Sequence, residues 1–219
     1  MQKYSHIIWD WNGTLFDDVD WCIEVINMLL SKRKMKTLDS ISEYHAVFCF
    51  PIIEYYRRIG FDFDAESFED LAEEFIALYH SNNSGNSRLF SNAEDTLDLV
   101  QKMGITQIIL TASKKCNLLS QMSGFEISGY FDALLGLTDI YGKSKIEIGL
   151  DYIRQNNIEN AVLIGDSLHD YEVAQALGVD CILIPNGHQS RETLQTCGAP
   201  LSNNISEVIE YIKIEKSIQ

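Results

Sequence analysis

The sequence predicts an α/β protein built on a parallel sheet. Three short apolar runs, HIIW, QIIL and AVLIG, are followed directly by Asp10, Thr111 and Asp166. Short β-favouring runs that lead into turn residues and then into helical periodicity are typical of buried parallel strands. Because such sheets bind ligands beyond the carboxyl ends of their strands, we expect the three polar side chains to meet in one crevice.

A long interval, residues 15–110, separates the first of these strands from the second motif. A strand-helix-strand crossover needs far fewer residues. Within the interval, residues 18–33 and 66–80 carry apolar side chains at helical spacing, which predicts two amphipathic helices. Pro51 and the region of Gly60 interrupt a third helical segment between them.

We therefore predict a helical cap inserted after the first strand. The cap covers residues 16–84, and the core consists of residues 1–15 and 85–219. The polar run at 81–87 is rich in Ser, Asn and Gly, which is typical of a hinge, so we expect the chain to return to the core there.

The rest of the chain alternates between helices and strands. The predicted elements are a helix near 92–103, a strand ending at Thr111, a helix near 115–122, a strand near 132–137, a helix over 145–156, a strand ending at Gly165, a helix from 169, a strand over 181–184 and a terminal helix from about 204.

Composition excludes several classes of protein. The formal net charge of −15 argues against binding nucleic acid or an anionic membrane through a general basic surface. No apolar run approaches the roughly 20 residues of a membrane span, and Asp10 and Asn12 interrupt any signal-like stretch at the N-terminus. The five cysteines form no Cys-x-x-Cys pair. We therefore expect reduced thiols and a cytoplasmic location.

The residues at the predicted strand ends form a set of motifs. Asp10-Trp11-Asn12-Gly13-Thr14 resembles the Asp-x-Asp-x-Thr motif of the haloacid dehalogenase-like phosphatase superfamily. Thr111-Ala112-Ser113 looks like its second motif, a lysine near position 145 like its third, and Gly165-Asp166-Ser167-Leu168-His169-Asp170 like its fourth. The nearest relatives in appearance are phosphoglycolate phosphatase-like proteins, which implies a Rossmann-like parallel sheet core with an inserted all-helical cap.

The resemblance also implies a role for each residue. Asp10 would attack phosphorus and form an aspartyl-phosphate. Mg²⁺ would be held by Asp10, Asp166 and the backbone carbonyl of Asn12, since oxygen ligands are what magnesium prefers. The phosphate-binding residues would be Thr111, Ala112, Ser113 and Lys145. Thr14 would support the site, and Asp170 would order the water ligands of the metal or hold Lys145.

Two points stay open at the motifs themselves. Lys143 and Lys145 both precede the helix that leads to the fourth motif, and we prefer Lys145 because it follows Ser144 at the helix start. Asn12 stands where the family has the carboxyl group that donates and accepts the proton. An amide cannot perform that step, although its backbone carbonyl is unchanged.

Four further residues are candidates for contact with substrate. Arg57 and Arg58 in the cap could bind a carboxylate or phosphate of the substrate, although solvated helix charges are an equal alternative. His169 could touch substrate or replace the missing proton shuttle, but we expect an ordinary surface residue. We expect His188 to serve as loop structure.

The predicted function is that of a magnesium-dependent phosphatase acting on a small phosphorylated metabolite, slowed by Asn12. One alternative is a phosphotransferase in which the aspartyl-phosphate persists. Another is a phosphate-binding or metabolite-binding regulatory protein with little turnover. No nucleic acid or membrane partner is expected, and the sequence indicates nothing about the oligomeric state.

Overall fold

The protein contains a five-stranded sheet in which every strand is parallel to its neighbours. A computed structural model describes residues 3–81, 88–138 and 144–213. The strand order is β3-β2-β1-β4-β5. The strands are β1 (His6–Trp9), β2 (Thr106–Lys114), β3 (Ala133–Leu137), β4 (Ala161–Gly165) and β5 (Asp180–Leu183). The predicted α/β fold with a parallel, Rossmann-like sheet is confirmed.

The register brings the predicted motifs to one edge of the sheet. Ile8 in β1 pairs with Ile108 in β2 on one side and with Leu163 in β4 on the other. Because β1 is central and all three strands run the same way, their carboxyl ends lie next to one another. Asp10 and Asp166 follow β1 and β4 directly.

Helices cover both faces of this sheet, and four of them lie in the predicted cap. The helices are α1 (Val19–Lys32), α2 (Ile41–Val47), α3 (Ile52–Arg58), α4 (Phe68–Ser81), α5 (Ala93–Lys102), α6 (Lys115–Met122), α7 (Lys145–Gln155), α8 (Leu168–Leu177), α9 (Arg191–Leu194) and α10 (Val208–Lys213). Alternate strand residues enter two separate apolar clusters: Trp9 and Ile164 lie on one face, and Ile8 and Leu163 on the other. Burial on both faces explains why the strands are continuously apolar rather than alternating.

The helices α1–α4 lie between β1 and α5 and have an apolar cluster of their own. That cluster draws its buried residues from positions between Val19 and Leu71. Pro51 and Gly60 bracket α3, as the sequence predicts. Phe16, in contrast, packs in the core cluster and bridges to Leu89. The division into cap and core stays a prediction, and the contacts of Phe16 favour a boundary slightly later than residue 16.

Some boundaries differ from the expected ones. β2 continues past Thr111 to Lys114, because the strand pairs again with Leu137 of β3 after a register shift. The terminal helix begins at Val208 rather than near 204, since the Asn204 side chain accepts hydrogen bonds from the turn before it. The predicted hinge run after Ser81 and the alternative lysine, Lys143, lie outside the described residues.

All five cysteines are free thiols. None of the helices in the described parts of the chain is long and apolar enough to cross a membrane.

Candidate active site

The polar residues at the carboxyl edge of the sheet line one cavity of about 300 Å³, and residues of α1–α4 line its other side. The sequence-predicted residues that line it are Asp10, Asn12, Thr111, Ala112, Ser113, Lys145, Asp166 and Asp170. Thr14 lies just behind them, with its hydroxyl 3.4 Å from Oδ1 of Asp166. The cavity therefore brings together the residues of all four motifs.

Lys145 is the buried cation of this site. It is the first residue of α7, whose start is fixed by a capping box between Ser144 and Glu147. Its Nζ atom lies 2.5 Å from Oδ1 of Asp10 and 2.6 Å from Oδ1 of Asp170. Burial lowers the pKa of Lys145, but the two carboxylates outweigh burial and raise it above its usual value.

The carboxyl groups outnumber this cation. Ligand oxygens of Asp10, Asp166 and Asp170 all lie within 4.8 Å of one another and are buried. Burial, together with the charges of Asp170 and Asp166, raises the pKa of Asp10 to about 8 despite the contact with Lys145. Burial also raises the pKa of Asp166 to about 6. Three converging carboxylates with one lysine fit a hard divalent cation, which would offset the excess negative charge.

Asp166 lies between the loop after β1 and the loop after β5, and each loop has a glycine where a side chain would overlap the carboxylate. A Cβ atom on Gly13 would lie 2.4 Å from Oδ2 of Asp166, and one on Gly187 would lie 2.1 Å from the same oxygen. Gly13 also has φ of 74°, which favours glycine. The backbone N–H of His188 donates to Oδ2 of Asp166 over 2.6 Å. The carboxylate is thus positioned by backbone on two sides.

Asp170 positions Lys145 and the start of α8. Its Oδ2 atom accepts hydrogen bonds from the backbone N–H of Asp166, at 3.2 Å, and of Ser167, at 3.1 Å. It also accepts from the Ser167 hydroxyl at 2.6 Å. Oδ1 contacts Lys145, which is one of the two arrangements expected for Asp170. Ser167 is also the N-cap of α8, so the fourth motif both caps a helix and contributes to the site.

The second motif lies within the last residues of β2 rather than in a turn. The backbone N–H of Ser113 donates to the Thr111 hydroxyl oxygen over 3.1 Å. The Ser113 hydroxyl donates to Oδ1 of Asn12 over 2.8 Å. These contacts fix the Asn12 amide so that its NH₂ group faces away from Ser113.

The NH₂ group of Asn12 faces Asp18, which the sequence analysis missed. Asp18 accepts hydrogen bonds from Nδ2 of Asn12 at 2.9 Å, from the N–H of Gly13 at 3.1 Å and from the hydroxyl of Tyr79 at 2.7 Å. Nε2 of His188 lies 3.4 Å from Oδ1 of Asp18. Burial opposes ionisation of Asp18, but these partners, His188 above all, lower its pKa below the usual value.

His188 is a buried part of the same network rather than plain loop structure. Burial lowers its pKa, but Asp18, Asp166 and Asp10 outweigh burial and raise the pKa to about 9. Nδ1 of His188 lies 2.8 Å from the hydroxyl of Tyr44 in the cap. Two features of the sequence could have indicated this pair. Asp18 lies at the start of the first predicted cap helix, and His188 follows the last strand.

The cap arginines do not reach the cavity. Arg57 pairs with Glu54 on the same helix and lies over the ring of Phe63. Arg58 is exposed and lines a neighbouring groove that shares Phe50 and His169 with the cavity. The seven-residue helix α3 turns Tyr55 and Tyr56 inward, which leaves the two arginines outside. Neither arginine lines the cavity, and contact of either one with substrate stays a prediction.

His169 lines the cavity, contrary to the expectation of an ordinary surface residue. Its ring stacks on Phe50 of the cap with 4.8 Å between the ring centroids. The stack lies at the rim of the cavity, where Phe50 is partly exposed.

Comparison with known proteins agrees with this arrangement. A family model described as haloacid dehalogenase-like hydrolase matches residues 7–184. The phosphoglycolate phosphatase of Caulobacter vibrioides is 25% identical over 209 residues, which cover 89% of this chain and 84% of that protein. The phosphoglycolate phosphatase of Colwellia psychrerythraea is 24% identical over 207 residues, which cover 90% of this chain and 92% of that protein.

A solved structure shows the same fold. A haloacid dehalogenase-like hydrolase from Streptococcus pneumoniae matches with a TM-score of 0.82 at 17% identity, covering 96% of this chain and 99% of that one. The family match extends over most of the chain and includes the motifs that line the cavity. The chain therefore belongs to the haloacid dehalogenase-like hydrolase family, as a phosphoric monoester hydrolase that resembles phosphoglycolate phosphatases.

Proposed function

We propose that this protein is a magnesium-dependent phosphatase that hydrolyses a small phosphorylated metabolite through an aspartyl-phosphate on Asp10. The observation that carries the proposal is the buried cluster of Asp10, Asp166, Asp170 and Lys145 in a cavity that also contains Thr111. A nucleophilic carboxylate, a cation site and phosphate-binding groups are the parts that phosphoryl transfer needs.

Asp10 is the proposed nucleophile because it projects from the end of the central strand into the cavity. Lys145 holds one of its oxygens, which leaves the other free to attack phosphorus. Asp10, Asp166 and the backbone carbonyl of Asn12 would hold Mg²⁺. When bound, the ion would supply positive charge that favours the ionised form of Asp10 and shields it from the phosphate.

Thr111, Ala112, Ser113 and Lys145 are the proposed phosphate-binding residues. The Thr111 hydroxyl and the Lys145 ammonium can both donate to phosphoryl oxygens at the cavity floor. Ala112 lines the cavity beside them. These donors would stabilise the charge that develops on the equatorial oxygens during transfer.

Proton transfer is the weak step of the proposed mechanism. Asn12 cannot protonate the leaving group. Asp18 lies beside it, but it has a lowered pKa and already accepts several hydrogen bonds, so it is a poor proton donor at neutral pH. We therefore infer slow turnover for esters whose leaving group needs a proton, because general acid-base catalysis is typically worth roughly 10²–10⁴-fold.

The lack of a proton donor at Asn12 is also consistent with two other functions. A protein that binds phosphorylated ligands with negligible turnover would need the cation and phosphate sites but no proton shuttle. Hydrolysis of the aspartyl-phosphate also requires a base for the attacking water, so without one the aspartyl-phosphate would persist. A phosphotransferase would use this persistent intermediate to phosphorylate an acceptor.

The test is a screen for phosphate release from small phosphate esters with and without Mg²⁺, alongside intact-mass detection of the phosphoenzyme. Steady Mg²⁺-dependent release that is absent in Asp10→Asn is the expected result. Release that needs an added acceptor would favour the phosphotransferase. Ligand binding without any release would favour the binding protein, and equal release by Asp10→Asn would overturn the mechanism.

A further inference from the structure

The two sides of the cavity differ in chemistry. The core contributes the charged groups around Asp10, whereas helices α2–α4 and the residues that follow α2 contribute mainly aromatic rings. Besides Phe50 at the rim, the tyrosine and phenylalanine rings of residues 41–81 that line the cavity are Tyr44, Phe48, Tyr55, Tyr56, Phe75 and Tyr79. We call these six rings the aromatic roof. A phosphate bound at the floor would therefore direct the rest of the substrate toward this roof.

The aromatic roof is a packed surface rather than a loose collection of side chains. Tyr44, Phe48 and Tyr55 pack with ring centroids 5.2 to 5.8 Å apart, and Phe75 stacks on Tyr79 at 6.0 Å. Burial raises the pKa of Tyr55 and of Tyr79, so their hydroxyls stay neutral. Such a surface accepts apolar groups and other rings.

The roof offers no free positive charge for an acidic substrate. Among the described residues that line the cavity, Lys145 is the sole lysine or arginine, and two carboxylates already bind it. The two ring nitrogens of His188 already contact Asp18 and the Tyr44 hydroxyl. A substrate carboxylate beneath the roof would lack a free lysine or arginine to pair with and would lie close to Asp18, which is unfavourable.

The apolar surface continues to the rim of the cavity. Phe50 and Ile76 are 36% and 46% exposed, and both line the cavity. Large apolar side chains left in solvent at the entrance of a cavity are typical of a binding surface. The rim residues thus extend the apolar surface of the roof to the entrance of the cavity, where an apolar group of ring size would enter.

We propose, on the basis of the phosphatase function above, that the substrates are phosphate monoesters of uncharged, apolar alcohols of about the size of an aromatic ring. The proposal distinguishes this chain from its phosphoglycolate phosphatase relatives, since the glycolate part of phosphoglycolate carries a carboxylate. The aromatic roof is the specificity-determining surface.

The test compares benzyl phosphate with 2-phosphoglycolate and ethyl phosphate in the presence of Mg²⁺. Each is an ester of a primary alcohol, so the three differ chiefly in the group that meets the roof. We expect kcat/KM for benzyl phosphate to exceed that for 2-phosphoglycolate by about a hundredfold or more, since even one methylene in a fitted apolar pocket is worth roughly 10- to 200-fold. Ethyl phosphate should fall between them.

A pair of variants at the exposed rim tests the missing charge. Ile76→Arg supplies a cation next to the roof, and Ile76→Gln supplies a neutral polar side chain of similar length. Relative to Ile76→Gln, Ile76→Arg should raise kcat/KM for 2-phosphoglycolate about tenfold and leave that for benzyl phosphate unchanged or lower. Both substitutions lie on the surface of α4, so both variants should fold.

A binding arm separates this proposal from the phosphatase proposal. The compounds 2-phenylethylphosphonate and 3-phosphonopropionate are non-hydrolysable analogues of the two esters in which CH2 replaces the ester oxygen, and their affinities are measured by calorimetry. Tighter binding of 2-phenylethylphosphonate without turnover of any ester would support the substrate class and reject the phosphatase. Turnover with equal or greater preference for 2-phosphoglycolate would overturn the substrate class alone. Failure to turn over any ester or bind either phosphonate would overturn both.

Discussion

Nδ2 of Asn12 lies 2.9 Å from Oδ2 of Asp18, so an amide donates to a carboxylate at the position where the family has its proton shuttle. A carboxylate at position 12 would instead face the carboxylate of Asp18 across the same distance. Two like charges this close raise the pKa of at least one group. Asn12 and Asp18 are therefore coupled, and the effect of changing one depends on the other.

Asn12→Asp should raise the turnover of an alkyl phosphate by roughly ten- to a thousandfold, because it restores a group that can donate and accept a proton. Asp18 should raise the pKa of the new carboxyl group, so the gain should be largest on the acidic side of neutrality. An activated aryl phosphate should gain less in the first step, since its leaving group needs little protonation. Rates measured from pH 5 to 9 check both points.

The double variant Asn12→Asp with Asp18→Asn is the matched comparison. Removing the Asp18 charge should lower the pKa of the new carboxyl group and therefore move the optimum toward lower pH. Identical pH profiles for the single and double variants would show that Asp18 does not influence position 12. If both variants turn over as fast as an active wild type, another group already transfers the proton. His169 would then be the first residue to mutate.

Asp10→Asn and Asp166→Asn should fail in different ways. Loss of Asp10 should abolish the phosphoenzyme, because the nucleophile is gone. Loss of Asp166 should chiefly raise the Mg²⁺ concentration needed for half-maximal activity, since it removes a ligand oxygen. Intact-mass spectrometry after acid quenching and a Mg²⁺ titration measure the two effects. Exposed Asp95→Asn is the control, and wild-type behaviour of either site variant would reject its assignment.

Lys145→Met should destabilise the metal-free protein by about 3–5 kcal/mol, because Asp10 and Asp170 lose the buried cation between them. A carboxyl group whose pKa is raised by folding destabilises the native state above its unfolded pKa. The deficit should therefore be large near pH 8 and shrink toward pH 5, where Asp10 is protonated. Urea unfolding in EDTA measures it, with exposed Lys115→Met as the control. A deficit that does not vary with pH would contradict this account.

His188→Gln should reveal the stability that the protonated imidazole contributes. Folding raises the pKa of His188 to about 9 from an ordinary 6.5. The contribution is therefore complete below about pH 6.5 and disappears as the pH rises through 9. At pH 7 the wild type should exceed the variant by on the order of 2 kcal/mol, and the difference should nearly vanish at pH 10.

The partner variant Asp18→Asn tests the origin of that contribution. If the Asp18 contact raises the pKa of His188, the double variant should lose little more stability than either single variant. Strictly additive losses would mean that the two side chains act independently.

The sequence predicts the parts of the site that depend on local order. Asp10 and Asp166 each follow a continuous apolar run, so strand ends and parallel pairing suffice to bring them together. Lys145 follows a helix-capping serine, which places it at the start of α7. Each of these residues is positioned by an element that its own neighbours in the chain determine.

The parts that the sequence did not predict depend on packing between distant segments. Asp18 precedes α1 and His188 lies in the loop after β5. They are in contact only because both segments pack at the carboxyl edge of the sheet. Helical periodicity over seven residues cannot fix the direction of Arg57 and Arg58, because the tyrosines before them decide which face turns inward. Long-range packing, rather than residue type, determined these outcomes.

The contact of Gly13 and Gly187 with Asp166 has a consequence for mutational tolerance. At either position, even a methyl group would overlap a carboxylate oxygen. The loops after β1 and β5 therefore share one steric constraint although they are remote in the gene. In a saturation library, alanine at each position should be as damaging as a bulky residue, which sets these two codons apart from ordinary loop glycines.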